Sequence, residues 1–384
     1  MSLICSEWNI ALFVIFRLNH FSVSITNAPR VIGQGVDIYY LRQAGLNMNR
    51  ITWVDNLRGI GVLVVILLHC VIAVNGNVGH FAPLISVLDP LLIPVFLGLV
   101  FFVSGLFVDA GLRKGLGPFI NNKIQTILYP FIVWVVVYGG LKILFSSMAN
   151  NPQSPLNVIA MHLSGGGDIT WFLHSLFFFF LAIIVLRYLP FWLVIPGCLL
   201  LSYLLPGFSA DGMFASFDNT HINKSINLFI FFYIGDQLVR RQFDVPRLAE
   251  NALLVLLSLA SVVRFVGLHM LSDRPPSHVL LAALALLSIP LFVWIALKVN
   301  SRLVHYVGVN SIVFYLSHYL VIQFFSKVVK LHTPTLWVQD LLFILAFAAA
   351  MIFPWTLCLL RQRGWFNFLF TLKSQPRVKV IKPV

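Results

Sequence analysis

Charge is scarce in this chain of 384 residues: Asp, Glu, Lys and Arg together make up 10% of it, against about 25% in ordinary soluble domains. That shortfall, beside 59% hydrophobic residues and a mean hydropathy of +0.91, excludes a water-soluble domain and implies an integral membrane protein. Cysteine is equally sparse. Cys5, Cys70, Cys198 and Cys358 stand far apart with no CxxC pairing, and three of them lie in apolar runs, where a thiol behaves as a small hydrophobe. Neither a disulfide framework nor a metal site is expected. Acidic residues number 13 against 26 basic ones. The net charge of +13 does not point to nucleic acid, because the basic residues punctuate the apolar runs and form no single patch. That is how topology signals are arranged.

The apolar runs are what the sequence has in abundance. A hydrocarbon core about 30 Å thick takes roughly 20 residues of helix. By that measure the chain is expected to be an all-α polytopic membrane protein, a bundle of about ten transmembrane helices at 57–75, 90–110, 124–145, 170–187, 191–206, 224–239, 251–271, 278–297, 303–326 and 336–360. With the N-terminus in the cytoplasm, 19 Lys and Arg fall on the cytoplasmic side, and four (Lys224, Arg274, Lys327 and Lys330) on the other. The positive-inside rule then puts both termini in the cytoplasm. The expected membrane domain is 48–361. Ahead of it, 1–47 reads as an extra segment: Trp8–Phe16 is too short to span and lacks the basic leader of a secretory signal, so Met48 is a candidate start of the native chain. Residues 362–384 read as a basic cytoplasmic tail suited to anionic lipid.

The first span carries two groups that lipid penalises. Thr52 and Asp55 have the spacing of a capping box, which would start the helix near Trp53. Arg58 then lies near the cytoplasmic rim and His69 near the bilayer midplane. Eleven residues at about 100° each bring the chain back to within ~20° of the same face after a rise of ~16 Å. Gly59 and Gly61 leave room beside the arginine for a neighbouring helix or a ligand. A snorkelling anchor is the plain alternative for Arg58, and a cross-bundle hydrogen bond for His69. Ionisable groups at mid-membrane are usually functional, and their shared face favours one common task.

The pair Arg58 and His69, set in "WVDNLRGIGVLVVILLH", resembles the signature of the acyltransferase-3 family of membrane acyltransferases. The segments "PVFLGLVFFVSGLF" (94–107), "ILYPFIVW" (127–134), "ITWFLHSLF" (169–177) and "GVNSIVFYLSHYLV" (308–321) are similar to later motifs of that family, in matching order. His174 is not counted in that pattern. The resemblance implies transfer of an acyl group, commonly acetyl, from cytoplasmic acyl-CoA to hydroxyls of surface or exported glycans or glycolipids. It implies no permanently bound cofactor, with acyl-CoA (acetyl-CoA) as donor substrate. The expected location is a cell membrane, the inner membrane of a bacterium. Arg58 would hold the CoA phosphates through its bidentate donors, and His69, ~16 Å deeper, would meet the thioester, either as general base or as acyl-accepting nucleophile. Both mechanisms stay open on the sequence.

Other polar groups follow from depth. Ser104 and Tyr129 join Arg58 as candidate CoA contacts, although Ser104-Gly105 reads first as a close helix contact and Tyr129-Pro130 as a kink or irregular helix start. His318, fifteen residues into its expected span, would stand at about 22 Å of rise, and Arg264 at about 20 Å. With Trp171 and His174, near Asp168, they would line an outer vestibule for the acceptor sugar, Trp171 stacking on it. Arg264 as an outward anchor is an equal alternative, as is an interfacial residue without special role for His174. Asp236 is expected to pair with Arg240 at i+4. The rival class is a transporter or flippase of an amphipathic glycan, but no clear internal repeat supports it. A catalytically idle subunit fits poorly with both Arg58 and His69 present, and glycosyl transfer lacks an obvious carboxylate pair within the spans.

Overall fold

A computed structural model describes residues 52–75, 83–88, 95–144, 154–165, 167, 169–204, 220–271, 278–332 and 334–372. Residues 1–47, Met48, Asp168, Arg274 and most of the basic tail lie outside these. Among the described residues the fold is all helix. The helices are α1 (Thr52–Asn75), α2 (Pro83–Leu88), α3 (Val95–Gly105), α4 (Val108–Leu112), α5 (Leu116–Lys123), α6 (Tyr129–Leu144), α7 (Pro155–Leu163), α8 (Trp171–Leu186), α9 (Phe191–Leu204), α10 (Thr220–Arg240), α11 (Arg247–Glu250), α12 (Ala252–Leu271), α13 (His278–Leu287), α14 (Ile289–Lys298), α15 (Arg302–Val309), α16 (Ser311–His332) and α17 (Leu336–Gln362).

Four helical stretches are long and apolar enough to cross a membrane: Thr52–Asn75, Leu116–Leu144, Ser311–His332 and Leu336–Gln362. A fifth is added if the bent pair Ala282–Lys298 and Arg302–Val309 counts as one span. The expected set of ten is therefore met in length by only part of the bundle. The reason is that apolar runs continue through breaks in the backbone. The run at 90–110 breaks after Gly105, that at 278–297 breaks at Ser288, and that at 303–326 is two helices, α15 and α16, parted at Asn310. Thr52 is the first described residue of α1, and the Asp55 carboxylate lies 3.5 Å from the Arg58 guanidinium.

The 115° bend between α14 and α15 is held from α1. The Asn56 side-chain amide donates to the carbonyls of Ala296 and Val299, at 3.0 and 2.9 Å, which are among the orphan acceptors at the end of α14. Ser301 then caps α15, its hydroxyl accepting from the Val304 N–H at 3.4 Å. α15 lies against α1 backbone to backbone. A Cβ on Gly59 would land on the Val304 carbonyl oxygen, and one on Gly308 on the Asp55 carbonyl oxygen. A second such crossing joins α3 to α10, where Gly105 meets the Phe232 carbonyl and Gly235 that of Phe102. Small residues at crossings let backbones approach in lipid, where van der Waals packing replaces the hydrophobic drive.

Between these crossings the core is filled with phenylalanine. Phe101 packs on Phe172 and Phe179 with ring centroids 4.6 and 4.9 Å apart, and Phe232 on Phe180 at 4.9 Å. At one end of this core sits a buried charge cluster. Arg187 binds Asp236 on α10 at 3.0 Å and Asp109 on α4 at 2.9 Å, and Asp109 also takes Arg113 at 2.8 Å. Asp236 thus pairs across helices with Arg187, not along its own helix with Arg240, whose guanidinium instead donates to the Arg187 carbonyl. An i+4 partner near the helix end would leave the fully buried carboxylate without a desolvated counter-charge.

α5 runs into α6 through a π-helical turn, Ile124–Leu128. Pro130 follows directly; it has no N–H to give and its ring crowds the preceding turn, which a widened turn accommodates. The chain beyond α17 folds back on this turn. The Leu372 N–H donates to the Gln125 carbonyl at 3.2 Å, and Leu369 accepts from the Trp134 indole N–H at 2.9 Å.

Two stability outcomes are expected in detergent. Gly59→Ala and Gly308→Ala each push one backbone off another and should cost about 1–3 kcal/mol, seen as a lowered unfolding temperature. Arg187→Met should cost about 3–5 kcal/mol by stranding the fully buried Asp236, and a joint Asp236→Leu, Arg187→Met variant should cost less than that single change.

Candidate functional site

Successive turns of α1 put Arg58, Val62, Val65 and His69 on one face, as spacings of 4, 3 and 4 require. The first three line a cavity of about 360 Å³. α16 supplies the facing wall with Ser311, Ile312 and Tyr315, and its next turn carries His318. The two helices climb together, and one turn beyond the lined cavity their histidines meet, His69 Nδ1 to His318 Nε2 at 3.0 Å. The remaining walls are Val100, Ser104 and Phe107 by α3, Lys123, Thr126 and Ile127 at the π turn, and Phe172, Leu173, Leu176 and Phe180 of α8. The lining is mostly apolar, broken by Ser104, Thr126, Ser311 and Tyr315, with Arg58 at the end away from the histidines and Lys123 at the adjoining π turn.

Both cations are held by rings. The Arg58 guanidinium stands 4.6 Å from the Phe107 centroid, and Lys123 Nζ 3.5 Å from that of Phe180. Such contacts hold a charged head in place, and Arg58 is also ion-paired with Asp55 at 3.5 Å.

The hydrogen bonds around the histidines fix their tautomers when both rings are neutral. Nδ1 of His318 is 2.8 Å from the Phe314 carbonyl oxygen, which can only accept, so Nδ1 carries the proton. Nε2 of His318 is then bare and accepts from His69 Nδ1–H. That leaves His69 Nε2 with an uncommitted lone pair. His318 is fully buried and His69 only partly so. Tyr319 packs edge-on to His69 at 5.3 Å, and two more tyrosines brace the region: Tyr138 donates to the Leu316 carbonyl at 2.6 Å and Tyr315 to that of Ile169 at 2.7 Å.

Several expectations are altered by this arrangement. His318 stands level with His69, not above it, because α16 starts at Ser311 and the histidine is only two turns in. Ser104 lines the cavity, its hydroxyl donating to the Val100 carbonyl at 2.9 Å, while Gly105 makes the helix contact. Tyr129 is not among the lining residues; Thr126 and Ile127 of the π turn take that place. Trp171 is buried, and the Lys224 ammonium lies over its ring at 4.6 Å, so that face is not open for a sugar to stack on. His174 packs between Phe131 and Phe178, at 5.6 and 4.7 Å, against the turn at Gly165. Arg264 is exposed on α12, among exposed Leu256, Leu259 and Val263, and takes no part in the cavity. Residues that the sequence did not single out are Lys123, which reads there as a topology signal, Lys224, and the tyrosines. Among the described residues no His, Cys, Asp or Glu group is arranged to hold a metal ion.

A family model described as an acyltransferase domain matches residues 51–360, most of the chain. No curated protein and no solved structure matches it.

The tautomer assignment has a direct check. In protein labelled with ¹⁵N-histidine, the resonances of His69 and His318, identified by their loss in His69→Gln and His318→Gln variants, should each show a protonated Nδ1 and a bare Nε2. A protonated Nε2 on His69 would contradict the chain of donors.

Proposed function

The chain belongs to the acyltransferase-3 family, and we propose from its site that it is a membrane O-acyltransferase using a cytoplasmic acyl-CoA, with acetyl-CoA the simplest donor, and a hydroxyl of a cell-surface or exported glycan or glycolipid as acceptor. The observation that supports this reading is the alignment of an arginine, a narrow apolar cavity and a hydrogen-bonded histidine pair along one helix face. Positive-inside counting puts Arg58 and Lys123 at the cytoplasmic end. There they suit the CoA phosphates, Arg58 with fixed paired donors and Lys123 as a compact point charge. The apolar cavity suits the thin pantetheine arm, and the ~16 Å rise from Arg58 to His69 suits its length.

His69 Nε2 takes the proton of the acceptor hydroxyl as its oxygen attacks the thioester carbonyl. The tetrahedral intermediate then expels the CoA thiolate, which recovers the proton from His69. His318 holds the ring with Nε2 directed away from itself, and its bare nitrogen faces the Nδ1–H that becomes more acidic as charge develops on His69. In this reading His318 is a positioning residue. The covalent alternative uses the same lone pair as nucleophile and differs in forming an acyl-imidazole.

The assay is transfer of radiolabelled acetyl from acetyl-CoA to glycan by protein in nanodiscs. His69→Ala should lower kcat by about 10²–10⁴-fold, and His318→Ala should lower it less while shifting the pH profile of kcat. Arg58→Ala should raise the donor KM by about 10–100-fold, the worth of a charged hydrogen-bond pair, with little change in kcat. Label held on the wild type in the absence of acceptor, and lost in His69→Ala, would establish the covalent route. Equal transfer by wild type and His69→Ala would remove the assignment.

A further inference from the structure

We infer that the acceptor carries an anionic group, a carboxylate on a sugar or a phosphate on its linkage, and that Lys224 is the residue that receives it; this names the acceptor class for the acyl-transfer reading above and rests on it. Lys224 is exposed at the first turns of α10, on the side opposite the Arg58 end by the same charge counting. Its ammonium makes one close contact, with the Trp171 ring, and such a contact is weak at an exposed position. No carboxylate among the described residues pairs with it. Asp340, on the same side by charge counting, is buried and takes the Leu84 N–H at 3.2 Å.

The position of this lysine follows from the helix packing. Lys224, Asn227, Phe231 and Gly235 recur at helical spacing on one face of α10. Phe231 and Gly235 meet α3 at Gly98 and Gly105, and α3 in turn meets α1 where Val100 faces Gly61. The stripe therefore points across α3 toward α1. Ser225 ties the same turn to α8 through Ser175, the two hydroxyl oxygens 2.5 Å apart.

Asn227 supplies an independent sign of a missing ligand. Its Oδ1 is buried and has no hydrogen-bond partner among the described residues, a loss that native structures rarely leave unmet. A cation and an open acceptor one turn apart fit a group that presents both negative charge and hydroxyl donors, as an acidic or phosphorylated sugar does. A neutral glycan would leave the ammonium without a counter-charge.

The test is binding, read separately from transfer. Full-length protein in nanodiscs is titrated with a neutral trisaccharide, the same trisaccharide ending in a uronate, its methyl ester, and the same trisaccharide bearing a phosphomonoester. The expected result is tighter binding of one or both charged forms by about tenfold or more, their order telling carboxylate from phosphate. That preference should vanish in Lys224→Gln and persist in Lys224→Arg, with all three proteins eluting as the same species. Asn227→Leu should weaken every probe without altering the charge preference. Equal affinity for charged and neutral forms, no binding of either charged form, or an unchanged preference in Lys224→Gln would each overturn the inference. A protein that sorts the probes by charge but moves no acetyl would retain the anion site and lose the chemistry.

Discussion

The meeting of His69 and His318 depends on how closely α15 approaches α1. At Gly59 and Gly308 each backbone occupies the space where the other would carry a side chain, and only glycine permits that. The approach requires α15 to leave α14 at a steep angle, and Asn56 on α1 satisfies the carbonyls released by the bend. Because α15 is spent on this crossing, α16 starts anew at Ser311. That restart brings His318 beside His69 and gives the cavity its second wall. A straight helix through 303–326 would carry the same histidine to a different height and leave His69 Nδ1 without its acceptor.

The face shared by Arg58 and His69 was legible in the sequence because it needs only helical periodicity within one uninterrupted helix. Its prerequisites, the two glycines beside the arginine, were legible for the same reason. The histidine pair was not. The depth of His318 depends on where its helix begins, and the break at Asn310 lies within a continuous apolar run. Asp236 shows the same limit: its spacing to Arg240 is local and visible, whereas Arg187 lies 49 residues away and reaches it only through packing of α8 on α10. Tyr129 was legible as part of an irregular segment, but not that the π turn would present Thr126 and Ile127 to the cavity in its place.

Charge is distributed here according to what each position can solvate. The buried cluster of Arg187, Asp236 and Asp109 holds three helix ends together and needs its full set of partners, since lipid and core supply none. Arg58 and Lys123 are steadied by ring faces, and Arg58 by Asp55 as well. Lys224 is steadied in the same way at the other end of the bundle. Arg58 and Lys123 thus sit over rings at one end of the cavity, and the hydrogen-bonded histidine pair lies beyond it.

The fold-back of the chain onto the π turn links two places far apart in sequence. Gln125 offers its carbonyl to Leu372, and Trp134 anchors Leu369, within a turn or so of Lys123 and Thr126 at the wall of the cavity. The residues that follow α17 as far as Leu372 thus act as a brace for one wall of the cavity. Anything fastened to that brace, whether an appended tag or a docking protein, would be mechanically coupled to the width of the cavity.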